Sequence, residues 1–228
     1  MKSWSQPAAI TPRKSVFWAL LFALLIATVP ALMIAAVPAM AETKPFTPTA
    51  ADRADLTRAQ NYLNGIGTLK SRFLQASSNG AFAEGILAIS RPGKLRLEYD
   101  PPVQMLIVAD GTWLIYKDLE LDEITYLPLN STPAGIIVRD KMSFFDDDIR
   151  VLGIERGPAV LSITVTGKDP DEGSMTLVFG ERPMALKKWI IIDPQGVKTS
   201  ISLLSTHYGV TLNPRLFVVK QPDREVVN

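Results

Sequence analysis

The 228-residue chain carries 24 lysines and arginines against 23 aspartates and glutamates, with 47% hydrophobic residues, the composition of an ordinary globular protein. So even a charge balance gives no electrostatic basis for nucleic-acid binding. The chain has no cysteine, which excludes disulfides, thiol catalysis and lipid attachment through a cysteine.

The first 41 residues read as a secretory signal. Lys2, Arg13 and Lys14 form a basic start, Val16 to Val37 is almost wholly apolar, and Ala39-Met40-Ala41 fits the small-x-small cleavage rule. The apolar run is also long enough for an uncleaved membrane anchor, an alternative that Pro30, Pro38 and the cleavage site oppose. Either way the folded portion is expected outside the cytoplasm. Cleavage after Ala41 leaves 187 residues, with 21 basic and 23 acidic side chains, since only three bases and no acids precede residue 42. That is enough chain for one domain with a sizeable core. Residues 42–48 read as a linker, 49–222 as the domain and 223–228 as a polar tail.

A helix is predicted first. Leu56, Ala59, Leu63 and Ile66 recur at spacings of three and four. Thr49 and Asp52 form a capping pair at its start, and Gly65 and Gly67 supply the stop. Strand patterns follow. Leu69, Ser71 and Phe73 alternate with Lys70 and Arg72, and a second strand runs over 84–91. Lys94 to Tyr99 alternates cleanly, with Leu95, Leu97 and Tyr99 on one face. Asp110-Gly111 marks a hairpin between 104–109 and 112–117. Residues 122–127 form another short strand.

The pattern then changes. Ser131-Thr132-Pro133 predicts a capped helix with proline at its first position, running through Ile136, Ile137 and Val138. Gly135 and the β-branched residues weaken it, so a movable cover and an ordinary core helix are both open readings. Residues 140–148 are irregular. Strands over 149–155, 160–166, 175–179, 186–192 and 197–206 complete the chain, joined by turn sequences, before an apolar Leu216-Phe217 pair. About ten short strands interrupted by one mid-chain helix describe a curved antiparallel sheet or barrel carrying helical segments.

The chemistry-bearing candidates are few. His207 is the single histidine, and no serine sits in a nucleophile-elbow pattern, so a hydrolytic triad has no support. Asp146-Asp147-Asp148 lacks calcium-loop spacing. Glu98 and Asp100 fall on the polar face of their strand with Lys94 and Arg96, unlike a glycosidase dyad in a cleft. No cofactor or metal is expected. What stands out is Arg91: taken as part of the strand, it shares a face with Leu87 and Ile89, where an unpaired charge is costly. The alternative reading ends the strand at Ser90 and points Arg91 to solvent from the Pro92-Gly93 turn.

The motifs SRFLQ (71–75), EGILAISRP (84–92), LIVADGTWLIY (106–116), STPAGIIVRD (131–140) and NPRLFVVKQP (213–222), in this order and spacing, resemble the LolA family of periplasmic lipoprotein carriers over about Leu56 to Pro222. The resemblance implies a mainly β, α+β fold: an incomplete, strongly curved antiparallel barrel of about ten or eleven strands under a lid of short helices. It implies a non-enzymatic monomer whose hollow, lined by Phe73, Leu87, Ile89, Leu95, Leu97 and Tyr99, holds the acyl chains of lipoproteins. Thr132, Pro133, Ile136 and Ile137 then belong to the lid. Arg91 matches the family's inward arginine, which ties the lid shut through lid backbone. The implied partners are an inner-membrane ABC exporter of the LolCDE type and an outer-membrane acceptor such as LolB. Leu95 and Leu97 stand where well-known members carry aromatics, and Ala134 and Gly135 where they carry bulkier residues. LolB itself would need a lipidated cysteine and the sigma-factor regulator RseB a second domain. A binding module of the same fold that carries or senses another lipid is the alternative reading.

Overall fold

The computed structural model describes residues 45–169, 171 and 173–219. The expected signal segment, its cleavage site and the polar tail lie outside the described residues.

Helix α1 spans Ala50–Asn64 and starts with the predicted box: Thr49 Oγ1 accepts from the Asp52 amide, and Asp52 accepts from the Thr49 amide at 2.9 Å. This satisfies two of the amides that every helix start leaves orphaned. Leu56, Ala59 and Leu63 are buried as one stripe. The start of α1 is also fastened to the far half of the sheet. Arg156 contacts Asp52 and Asp55, both at 2.7 Å, and Arg58 bridges Asp55 and Glu181.

Eleven strands follow: β1 (Thr68–Ser77), β2 (Phe82–Ser90), β3 (Lys94–Tyr99), β4 (Met105–Asp110), β5 (Trp113–Asp118), β6 (Ile124–Pro128), β7 (Arg150–Gly157), β8 (Val160–Thr166), β9 (Ser174–Glu181), β10 (Met184–Ile192) and β11 (Lys198–Tyr208). They form one antiparallel sheet in the order β6-β5-β4-β3-β2-β1-β11-β10-β9-β8-β7. Two meanders meet where β1 pairs with β11. The inward residues of both halves share a single hydrophobic cluster with α1, so the sheet curls on itself. Its ends, β6 and β7, remain edges. The barrel is incomplete.

The chain from β6 to β7 joins these two edges. It carries a 3₁₀ turn at Leu129–Ser131, helix α2 at Pro133–Val138, and the irregular stretch 140–148. Thr132 precedes α2 as expected, but its hydroxyl donates back to the Leu129 carbonyl at 2.8 Å and does not cap α2. The irregular stretch is nonetheless held in place. Asn64 of α1 exchanges two 2.8 Å hydrogen bonds with the backbone of Met142, Gln60 accepts from the Phe144 amide, and Met142 and Phe144 are buried.

Two features differ from the sequence expectation. Strand β2 begins at Phe82 and ends at Ser90, so Arg91 belongs to the following turn. The outer face is also not all solvated. Ala88, Leu106 and Val108 point outward and are covered by Phe217, Leu216 and Leu212 of the C-terminal segment. The near-continuous apolar run Met105 to Ala109 is what a strand covered on both faces requires. Where the ladder bulges, side chains satisfy it. Buried Ser71 places its hydroxyl 2.8 Å from the Leu204 carbonyl, and Tyr62 Oη accepts from the Leu186 amide.

Candidate functional site

The inward residues of β3, β4 and β5, those of β10 and β11, Gln75 of β1 and one side of α2 line a partly open cavity of about 290 Å³. Leu95, Leu97 and Tyr99 form one wall, Trp189 and Ile201 the opposite one, and Pro133, Ala134 and Ile137 the roof. Side-chain alternation places these residues. Leu97 pairs with Ile107, which pairs with Tyr116, so a row of same-face residues runs across three strands. The walls are chiefly aliphatic and aromatic. The polar groups (Gln75, Tyr99, Tyr116, Asp193 and Thr199) are few.

Successive residues of α2 face different spaces. Ala134 and Ile137 look into this cavity. Thr132 and Ile136 line an open groove of about 620 Å³ on the other side, against the ends of β8 and β9, and Pro133 borders both. Arg139, Asp148, Lys168 and Asp169 also line the groove. Charged walls open to solvent do not dehydrate apolar matter, so the smaller cavity is the candidate site.

Of the expected lining residues, Leu95, Leu97 and Tyr99 reach the cavity wall. Phe73, Leu87 and Ile89 are not among the residues that line it; they face the same way but are packed in the solid core, at 0%, 0% and 3% exposure. Gly85 shows how Phe73 is buried. It lies between Phe73 and Tyr99 in one cross-strand row. A Cβ on it would sit 2.7 Å from Phe73 Cε1. Because it has none, the two rings meet edge-to-face over the middle strand, centroids 5.1 Å apart. Trp189, Ile201 and Gln75 are lining residues that the sequence reading did not single out. Their strands carried the right alternation, but period two does not say which part of an inward face stays hollow.

Arg91 points inward from the turn, so neither sequence placement describes it. Its guanidinium is largely buried, and burial lowers its pKa. Nη1 donates to the carbonyl of Leu63 at the end of α1, while Nε and Nη2 are buried without a partner among the described residues. The expected partner, the backbone of α2, is therefore not the one it takes. The physical reason lies in α1, whose last turn holds no basic residue. Its terminal carbonyls carry the negative end of the helix dipole, which attracts a cation from elsewhere in the fold. The turn does reach α2, two residues later: the Gly93 amide donates to the Val138 carbonyl at 2.7 Å. Arg91 thus fixes the turn to α1, and the turn's backbone holds α2.

Gly135 lets α2 seat. A Cβ there would lie 2.4 Å from the Leu129 carbonyl oxygen. His207 is exposed at the end of β11, and Asp148 pairs with Arg139 at 2.7 Å.

The family model described as outer membrane lipoprotein carrier protein LolA matches residues 64–220, more than half of the chain. The chain belongs to the LolA family. An outer-membrane lipoprotein carrier protein from Dechloromonas aromatica is 35% identical over 163 residues, covering 68% of this chain and 77% of that protein. One from Azotobacter vinelandii is 26% identical over 186 residues, covering 78% and 89%. A solved putative outer membrane lipoprotein-sorting protein domain from Vibrio parahaemolyticus aligns with a TM-score of 0.46 at 12% identity, over 72% of this chain and 94% of that one. The LolA match takes in all eleven strands and α2, and every residue of the cavity wall.

Proposed function

We propose that this protein is a periplasmic carrier that takes up the acyl chains of lipoproteins leaving the inner membrane and delivers them to the outer membrane, without catalysing a reaction. The observation that carries the reading is the apolar cavity roofed by α2 in a chain of the LolA family. At about 290 Å³ it lies at the lower end of small-molecule sites. A client with two or three long chains therefore enters only when α2 lifts. Six residues are too few for a helix stable by itself, and the turn at Gly93 holds α2 by one backbone hydrogen bond.

Each methylene taken from water contributes about 0.8 kcal/mol, so an aliphatic wall binds chains strongly without any specific contact. Release requires that closing the lid be nearly as favourable as holding the chains. A closed state in which the roof and the wall bury each other's apolar residues meets that requirement. An ABC exporter of the LolCDE type on the inner membrane and a LolB-like acceptor on the outer one are the partners this reading calls for.

The test is to purify the protein from the soluble fraction of its own host and identify the bound matter by mass spectrometry. Diacylated or triacylated peptides are expected. Free lipids alone would show instead a module of the same fold with another cargo.

A further inference from the structure

One end of the cavity is polar, and its polarity has a direction. Gln75 on β1 faces inward, and Tyr99 reaches it from β3 across the gap left by Gly85, donating its hydroxyl to Gln75 Oε1 at 2.7 Å. With that oxygen engaged, Gln75 presents its Nε2 amide hydrogens, which have no partner among the described residues. Tyr116, on the same inward surface, likewise has no hydrogen bond to its hydroxyl among the described residues, and both line the cavity. Burial pushes Tyr99 up to about 12 and raises Tyr116 as well, so both hydroxyls keep their protons at neutral pH. The polar end therefore offers donors.

We propose that Gln75 and Tyr116, with Tyr99 as the residue that positions Gln75, recognise the ester or amide carbonyls where acyl chains join a neutral head group. This rests on the carrier reading and deepens it by naming the head-group chemistry. A bare hydrocarbon leaves the amide of Gln75 and the hydroxyl of Tyr116 buried and unsatisfied, a larger loss than a hydrogen bond normally gains. An anionic head group fares worse. Among the described residues no lysine, arginine or histidine lines this cavity, whereas Asp193 does, its carboxylate accepting from the amides of Gln195 and Val197 at 3.0 and 2.8 Å. Like charges in a partly desolvated site repel. Carbonyl oxygens accept without carrying charge, and they match the donors present.

The experiment compares two synthetic lipopeptides of equal chain length on protein purified from cells. One is a dipalmitoyl-glyceryl-cysteinyl peptide with ester links, the other its dialkyl ether analogue, each displacing a fluorescent apolar dye. Two neutral hydrogen bonds correspond to about tenfold tighter binding of the ester. The ester-to-ether ratio is expected to fall towards one in Gln75→Leu and to fall partway in Tyr116→Phe and Tyr99→Phe, variants that remove a single oxygen and guard against misfolding. Methyl palmitate is expected to bind more tightly than palmitate. A wild-type ratio of one, a tenfold ratio retained in both Gln75→Leu and Tyr116→Phe, or tighter binding of palmitate overturns the assignment. Failure of the wild type to bind either lipopeptide overturns the carrier reading as well, whereas equal binding of the two overturns only the head-group recognition.

Discussion

Arg91 Nη1 donates to the carbonyl of Leu63, so the turn after β2 closes the end of α1, while the Gly93 amide of the same turn holds the Val138 carbonyl of α2. One short segment thereby couples α1 to α2. Two of the three guanidinium nitrogens remain buried without partners among the described residues. Arg91→Leu removes a charge-assisted bond of about 1.5–3 kcal/mol but also relieves an incompletely paired buried charge. The two effects oppose, and a net change within about 1 kcal/mol is expected in urea unfolding. Lipoprotein transfer to outer membranes is expected to fail, because the turn that seats α2 is no longer fixed. Normal transfer by this variant would remove the coupling role.

Gly135→Ala tests the seating of α2 directly. Its Cβ would meet the Leu129 carbonyl oxygen at 2.4 Å, an overpacking of about 1–3 kcal/mol. The strain falls on the lid alone. The Gly93 amide, which donates to α2, should exchange its hydrogen with solvent faster, and amides of β1 and β11 should keep their protection. Unchanged exchange at Gly93 would show that α2 accommodates the methyl group.

Gly85→Ala should act on the whole fold. The added carbon would sit 2.1 Å from the Glu98 carbonyl oxygen and 2.7 Å from Phe73 Cε1, and the first of these is backbone that cannot swing aside. A loss of about 3 kcal/mol is expected, lowering Tm by about 6–12 °C in a domain of this size. Calorimetry decides it. A change below 2 °C would mean that β2 and β3 shift freely.

The clamp on α1 is sensitive to acid. Asp52 is held down to a pKa of about 2 from its ordinary 3.8, first by the hydrogen bond from Arg156 and then by those from Thr49. A carboxylate with a depressed folded-state pKa stabilises the fold above its unfolded value, and that stability is lost as pH falls through the folded one. The loss should therefore run from about pH 4 down to about 2. Asp52→Asn is expected to be less stable at neutral pH and to show a shallower decline over this range in pH-dependent unfolding. Parallel curves for the two proteins would show that Arg156 does not recognise the charge.

Much of the architecture is legible in the residue order because alternation and helical spacing report burial directly. Thr49 with Asp52, the clean period of Lys94 to Tyr99, Asp110-Gly111, and Pro133 at the first position of α2 each describe local geometry, and each is found where expected. The resemblance to the LolA family also came from local motifs. Contacts between distant segments are another matter. Arg91 was visible as a charge out of place, but the carbonyl it takes belongs to a helix 28 residues earlier. Phe73, Leu87 and Ile89 share the inward face with Leu95 and Leu97, yet only the latter pair border a hollow.

By itself the sequence determined which side chains of a strand share a face, where the helices begin and which family the chain resembles, since these follow from spacing along one strand or turn. Only the tertiary structure decided what each inward residue meets. The curl of the sheet set the hollow beneath α2, the missing side chain of Gly85 brought Tyr99 to Gln75, and the C-terminal segment covered Leu106 and Val108. Each of these depends on the distance between strands that are not neighbours in the chain, a quantity that periodicity does not contain.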